Sequence, residues 1–336
     1  MKIVMQPKKS IRVKRKPDNA LPIDQCALYM IGSPKRLASV LKLDVAELES
    51  LLASVTNYKK FDIAQSANPF TGKTRKKRSV QEPKSRLRKL HVRLLSLLRR
   101  VRYPDYVQGA VKYRSYQTNA AAHKGARQTA TFDVSNFYGS TKYYLVHDFF
   151  CRVLRCPSDI AGKLATLVTC DGAVPTGSPL SPLLSYWVAK EMFDECADLA
   201  QRHNLTFTCY IDDLTFSGDR IPRSLRSSLK IILSRYGYQL AKDKTRVFRF
   251  GMPAHITGVI SLSSELVVPF SRLKAARRIV DAIGGKGSSY GFTQEELKRK
   301  LAGTIGEAAT IDGQRFGKWA EYARKDASDK MAESGQ

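Results

Sequence analysis

Two adjacent aspartates set between two apolar runs constrain this chain more than any other feature. The stretch reads Cys209-Tyr210-Ile211-Asp212-Asp213-Leu214-Thr215-Phe216-Ser217. Leu205 through Ile211 reads as one strand, rich in β-branched and aromatic residues, and Leu214 through Phe216 reads as its return. The aspartates then form the turn of a hairpin. Adjacent like charges repel, and holding both at a half-buried strand end is costly without a compensating cation. A divalent metal is the natural compensation. A solvated Asp-Asp turn is the ordinary alternative, and the flanking strands weigh against it.

The charge balance points to a polyanionic partner. The chain has 336 residues with 57 Lys plus Arg against 30 Asp plus Glu, a formal net charge of +27. Residues 1–130 hold 29 basic and 8 acidic side chains, and residues 131–336 hold 28 and 22. A basic front half suggests nucleic acid first. An anionic membrane surface is the other candidate, but no basic amphipathic helix with a clean apolar face is visible. No apolar run reaches the length of a membrane span, and the basic N-terminus lacks an apolar signal core. No membrane partner is therefore expected, and the cytoplasm is the default location. The six cysteines show no metal-ligand spacing and read as reduced thiols rather than a zinc site.

Along the chain, residues 1–20 are basic and suggest a flexible or RNA-contacting tail. Ser33-Pro34 predicts a cap and first position for a helix over 34–56. Asn68-Pro69-Phe70-Thr71-Gly72 reads as a turn, followed by a basic hairpin tip or loop at Lys73–Val80. Residues 83–101 predict an amphipathic helix with Leu87, Leu90, Leu94, Leu97, Leu98 and Val101 inward, stopped by Pro104. Asn119-Ala120-Ala121-Ala122-His123 reads as a short capped helix whose alanines allow close approach of another backbone. Ala130–Tyr138 predicts a strand ending at Asp133, then a helix through Val146 and Val153. A lone aspartate at a strand end is usually a cap. Beside a second acidic strand it becomes a third carboxylate, the convergence that two-metal phosphoryl chemistry requires. Pro175–Pro182 is a rigid loop of small residues, an ordinary turn or a place where a base pair can approach the backbone. A helix is expected over 222–236, a strand from Gly237 to Leu240, and a mostly helical segment from 270 to 326, interrupted at 284–289.

The order Asp133, Pro175-Thr176-Gly177-Ser178-Pro179, Tyr210-Ile211-Asp212-Asp213, Lys244-Thr245 resembles the palm of reverse transcriptases. Asn119-Ala120-Ala121-Ala122-His123 is similar to the NAxxH segment of retron reverse transcriptases, and Ile256-Thr257-Gly258-Val259 is similar to their VTG segment. Thr176 stands where glutamine is common, and Tyr186 and Lys242 stand where asparagine is common. The resemblance implies an α+β, right-hand polymerase fold with fingers, an RRM-like palm sheet and a helical thumb. The expected partition is 1–68 N-terminal segment and start of the fingers, 69–128 fingers, 129–254 palm with an insertion at about 150–182, and 255–336 thumb and tail. It implies two Mg²⁺ ions on Asp133, Asp212 and Asp213, helped by the Val134 carbonyl. Lys73 and Arg78 would clamp the incoming dNTP, with Thr176 and Gly177 beside it, and Tyr138 would exclude a 2′-hydroxyl. Lys244 is a candidate to protonate pyrophosphate or steady the hairpin. Asn119, His123, Lys76, Lys77, Thr257 and Gly258 are the expected RNA contacts.

The activity so implied is copying of part of a structured non-coding RNA, primed from its own 2′-hydroxyl, into branched RNA–DNA. A retron effector protein would be the further partner, in anti-phage defence. A group II intron-like or abortive-infection reverse transcriptase is the alternative within polymerases. A non-catalytic RNA-binding scaffold is the alternative outside them.

Overall fold

A computed structural model describes residues 20–262 and 265–328. The expected tail over 1–20 lies, but for Ala20, outside the described residues. The Ser33 hydroxyl accepts from the Arg36 N–H and caps α1 (Pro34–Leu41), with proline at its first position. The helix expected over 34–56 is two. Lys42 turns left-handed (φ 61°) and Asp44 caps α2 (Val45–Ala53), accepting from the Glu47 N–H. A carboxylate able to cap a new helix competes with continuation of the old one.

Residues 58–83 form one long hairpin. β1 (Tyr58–Ile63) pairs antiparallel with β4 (Arg78–Pro83), and nearer the tip β2 (Ser66–Ala67) pairs with β3 (Thr74–Arg75). The Asn68–Gly72 turn closes it. The expected basic tip therefore lies partly in strands β3 and β4. α3 (Ser85–Leu98) buries the predicted leucines together with His91 and ends at Leu98, well before Pro104. α4 (Tyr116–Ala121) is short and carries a reciprocal cap between Ser115 and Thr118.

The central sheet is built from β5 (Gln128–Asp133), β6 (Thr206–Tyr210), β7 (Asp213–Gly218) and β8 (Arg246–Phe248), ordered β6-β7-β5-β8 and antiparallel throughout. Between β5 and β6 run α5 (Phe137–Ser140), α6 (Tyr143–Asp148) with a π-helical turn over Phe149–Val153, α7 (Ser158–Val168), α8 (Ser181–Val188) and α9 (Lys190–Arg202). α10 (Leu225–Arg235) connects β7 to β8. The strand expected at 237–240 does not form. Gly237 turns left-handed (φ 79°) after α10, and only Leu240 bridges, to Val134. One apolar core runs from Cys26 to Leu240.

Beyond the sheet, β9 (Ala254–Ile256), β10 (Val259–Ser261) and β11 (Leu266–Val267) form a second antiparallel sheet. Thr257 and Gly258, both at positive φ (45° and 86°), make the β9–β10 turn. That two-residue geometry suits the twist of a hairpin. α11 (Phe270–Ile283), α12 (Gln294–Ile311) and α13 (Gly313–Ser328) follow. Ile256, Val259, Ala308 and Ile311 pack with Ala120 in a second core, and Phe70 packs with residues of α11 and α12 in a third. Among the described residues no helix is long and apolar enough to cross a membrane.

Candidate active site

The two aspartates do sit at the hairpin turn, with Asp213 opening β7. Ile211, at the corner, has φ of 62°. Positive φ in a β-branched residue costs on the order of 1–3 kcal/mol and persists only where neighbours hold it. Gly109 is one such neighbour: a Cβ there would lie 2.7 Å from the Ile211 nitrogen and 2.8 Å from its Cγ1. The Gln108 N–H donates to the Cys209 carbonyl (2.8 Å), seating that segment along β6. Asp133 ends β5 directly opposite Asp213 in the ladder, and the Val134 N–H donates to the Asp212 carbonyl (2.9 Å). Three carboxylates thus converge on one end of two paired strands.

Their electrostatics follow from that crowding. Burial, then the Asp212 and Asp133 charges, push Asp213 up to about 7 from an ordinary 3.8. Burial and then Asp133 also raise Asp212. Lys244 Nζ lies 2.6 Å from Asp133 Oδ2, and that hydrogen bond raises the lysine further. Lys244 and Asp133 line a cavity of about 210 Å³ with Asp213, Arg246, His255 and Thr257. Among the described residues no three His, Cys, Asp or Glu side chains are arranged to cage an ion as they stand. The acidic groups repel, and one oxygen of Asp133 is turned to Lys244. The donor set is nevertheless all hard oxygen in surplus negative charge, which fits a divalent cation such as Mg²⁺.

Tyr138 lies next to this group; burial raises its hydroxyl first and the Asp212 charge second. Thr176 does not reach outward: its hydroxyl lies 3.2 Å from both the Ser79 carbonyl and Gln81 Oε1. The Gly177 N–H donates to the Gln81 carbonyl (3.1 Å), and a Cβ at Gly177 would come within 2.7 Å of that oxygen. The small-residue loop is therefore seated against β4. Lys73 lies at the hairpin tip, lining a separate cavity with Phe70 and Arg272. Arg78 and Lys76 are exposed, and Lys77 pairs with Asp62 (2.9 Å). Tyr186 is buried, its ring stacked on Phe193.

The expected RNA contacts at Asn119 and His123 are a correction. Asn119 is 0% and His123 2% exposed. His123 bonds Ser217 Oγ and Thr208 Oγ1, both at 2.7 Å, tying α4 to β7 and β6. Asn119 Nδ2 donates to Thr257 Oγ1 (3.2 Å), and Thr257 Oγ1 donates to the Tyr116 carbonyl (3.2 Å). The alanine run does admit close approach, but of the chain's own β9 and β10. These polar groups join parts of the protein rather than face RNA. Gly109 and the cavity residues Arg246 and His255 escaped the sequence reading; for Gly109 the signal available was a glycine in a segment poor in charge.

A family model described as reverse transcriptase (RNA-dependent DNA polymerase) matches residues 34–281. The retron Se72 reverse transcriptase of Salmonella heidelberg is 28% identical over 228 residues, covering 65% of this chain and 58% of that protein. The retron Mx65 reverse transcriptase of Myxococcus xanthus is 32% identical over 205 residues, covering 54% and 47%. The retron Mx162 reverse transcriptase of the same organism is 26% identical over 316 residues, covering 82% and 64%. The chain spans about half to two thirds of the length of these curated relatives. A solved foamy viral protease-reverse transcriptase in complex with double-stranded DNA aligns over 76% of this chain and 36% of that one, at 15% identity and a TM-score of 0.42. The family's pattern runs through both acidic strands and the loop between them, and the chain belongs to the reverse transcriptase (RNA-dependent DNA polymerase) family.

Proposed function

We propose that this chain is the RNA-directed DNA polymerase of a retron. It copies part of a structured non-coding RNA into DNA from a 2′-hydroxyl primer, giving branched RNA–DNA, and works with an effector protein in anti-phage defence in the cytoplasm. The observation that carries the polymerase reading is the convergence of Asp133, Asp212 and Asp213 on the ends of β5 and β7. The retron assignment leans on the named relatives and on the Asn119–His123 and Thr257–Gly258 segments.

Asp133, Asp212 and Asp213, with the Val134 carbonyl, are the groups to hold two Mg²⁺ ions, which when bound acidify the attacking hydroxyl and neutralise the leaving pyrophosphate. The aspartates' role is to supply negative charge in a fixed geometry. Tyr138 excludes a ribose 2′-hydroxyl. Lys244 holds Asp133 before the site is loaded and is placed to give a proton to pyrophosphate. Lys73 and Arg78 contact the dNTP phosphates once the hairpin bends toward the sheet. Thr176 acts by seating the Gly177 loop on β4, a different task from the glutamine common there. In the right-hand partition the palm is the β5–β8 sheet with its helices, and α11–α13 are the thumb. The fingers start within 1–68 and continue to 128, and the 58–83 hairpin crosses that boundary as one unit. Lys76, Lys77 and the exposed basic face of the front half hold RNA phosphates.

The test is primer extension by the purified chain on the RNA that co-purifies with it, for the parent and for Asp212→Asn. The variant should fold and bind RNA as the parent does, while DNA synthesis falls by about a thousandfold or more. RNA binding without synthesis in the parent would point to the scaffold reading. Full-length DNA from the variant would remove Asp212 from catalysis.

A further inference from the structure

We propose that His91 is a positioning residue of the nucleotide pocket. From the interior it sets where the loop at 176–178 lies, and through that loop how tightly and how selectively the incoming dNTP is held. The use of the pocket for a dNTP rests on the polymerase reading; the link from His91 to the loop rests on the geometry below.

His91 lies midway along α3 and is 0% exposed. Both ring nitrogens are bonded: Nε2 lies 2.8 Å from the Leu167 carbonyl near the end of α7, and Nδ1 lies 2.6 Å from Ser178 Oγ. Burial lowers the ring to about 4, so it is neutral near pH 7 and carries a single N–H. A carbonyl can only accept, so that hydrogen is on Nε2. Nδ1 is then the acceptor, and the Ser178 hydroxyl donates to it. Ser178 Oγ in turn accepts from the Leu180 N–H (3.1 Å), at the entry to α8. The same Leu167 carbonyl also accepts from the Tyr58 hydroxyl of β1 (3.2 Å). Each bond in this chain therefore has one direction, and the histidine is the member that joins α3 and α7 to the loop.

The loop spans two walls of the site. On one side Thr176 and Gly177 rest on β4. On the other, the Val174 N–H donates to the Thr141 carbonyl (3.0 Å), and the Thr141 N–H donates to the Tyr138 carbonyl (3.1 Å) at the close of α5. Thr176 is exposed and Gly177 half-buried, whereas Ser178 is 7% exposed and turned inward to His91. β4 thus fixes one edge of the loop, and the bond to His91 fixes its depth. A loop of prolines and small residues has little side chain to bury, so polar anchors of this kind place it.

A residue that shapes a pocket without touching the substrate alters binding in the ground state and the transition state alike, so KM moves and kcat does not. Neutral histidine offers one donor and one acceptor on opposite edges of the ring. Glutamine offers the same pair on its amide, and leucine offers neither.

The experiment is single-nucleotide incorporation on an RNA template with an annealed primer, for the parent, His91→Leu, His91→Gln and Ser178→Ala, at folded fractions matched by urea unfolding. His91→Leu and Ser178→Ala should each raise the KM for dNTP about tenfold, the contribution of roughly one buried hydrogen bond, with kcat within about threefold of the parent. Incorporation of a mismatched dNTP relative to the matched one should rise about fivefold. Combining the two changes should add little to either alone. His91→Gln should return KM to within about twofold of the parent. Should His91→Leu fail to fold, Ser178→Ala against His91→Gln carries the same comparison. An unchanged KM, a loss confined to kcat, or a His91→Gln protein as impaired as Ser178→Ala makes His91 a plain interior residue and overturns the proposal. No incorporation by the parent at all instead rejects the polymerase reading, and the nucleotide pocket falls with it.

Discussion

At the β6–β7 turn, Ile211 holds a left-handed backbone and two part-buried carboxylates press on a third. Along the same two strands, His123 satisfies both ring nitrogens on Thr208 and Ser217, and burial lowers it to about 3, so it stays neutral. The first cluster breaks the rules of a good interior and the second keeps them. A buried polar group that is fully bonded rigidifies its surroundings. Strain and unpaired charge survive only where the surroundings over-determine them. The pairing of the two clusters suggests a division of labour, in which the bonded histidine and the tight Gly109 contact hold still a turn that would relax on its own.

Among the residues that support the turn, the largest effect is expected at Gly109. Gly109→Ala puts a methyl group within 2.7 Å of the Ile211 nitrogen, so the turn or its neighbour must move. DNA synthesis should fall about a hundredfold, because misplacing reacting groups by about 1 Å costs that much. Single-nucleotide incorporation by rapid quench measures it, and rates equal to the parent would make Gly109 a bystander.

Next comes the satisfied cluster. His123→Ala leaves Thr208 and Ser217 without their partner and should lower stability by about 2–3 kcal/mol in urea unfolding. Because His123 is interior, its loss should reduce extension on the cognate RNA and on a generic template alike. A selective loss on the cognate RNA would restore a direct part in RNA choice.

The smallest effect sharpens the charge side of the comparison. The folded pKa of Asp213 is raised from 3.8 to about 7, so the native state binds more protons than the unfolded chain in that window. Its contribution to stability is full below pH 3.8 and is lost as pH rises through about 7. Without divalent cation, Asp213→Asn should therefore be more stable than the parent at pH 8, by about 1 kcal/mol or more, with the gap closing toward pH 4. Urea unfolding at the two pH values tests this, and added Mg²⁺ should narrow the gap at pH 8 by stabilising the parent. A gap independent of pH would mean that Asp213 carries an ordinary carboxylate pKa.

Much of the site was legible because its signals are local. A strand, two aspartates and a returning strand within one short segment leave few arrangements, and Asp133 at the end of another strand finds its partner through simple pairing. α1 and α12 carry side-chain caps, whereas α3, α10 and α11 have none and follow from apolar periodicity. The errors arose where two local signals compete. Asp44 could cap a new helix or ride in an old one, and Gly237 could open a strand or a turn.

The sequence by itself determined which residues are candidates to carry the chemistry, since charge, hydrogen-bonding capacity and strand periodicity are properties of the residues and their near neighbours. Only the tertiary structure decided what those residues touch. Asn119 and His123 are polar groups suited equally to RNA or to the interior, and packing of α4 on β6, β7 and β9 buried them. Gly109 has no side chain to announce that Ile211 lies against it. Phe70 is one more aromatic in a turn until α11 and α12, some 200 residues further on, supply the apolar face that covers it. Such contacts lie far apart in the chain, and no local pattern encodes the partner, because burial is fixed by the sum of the packing rather than by any one segment.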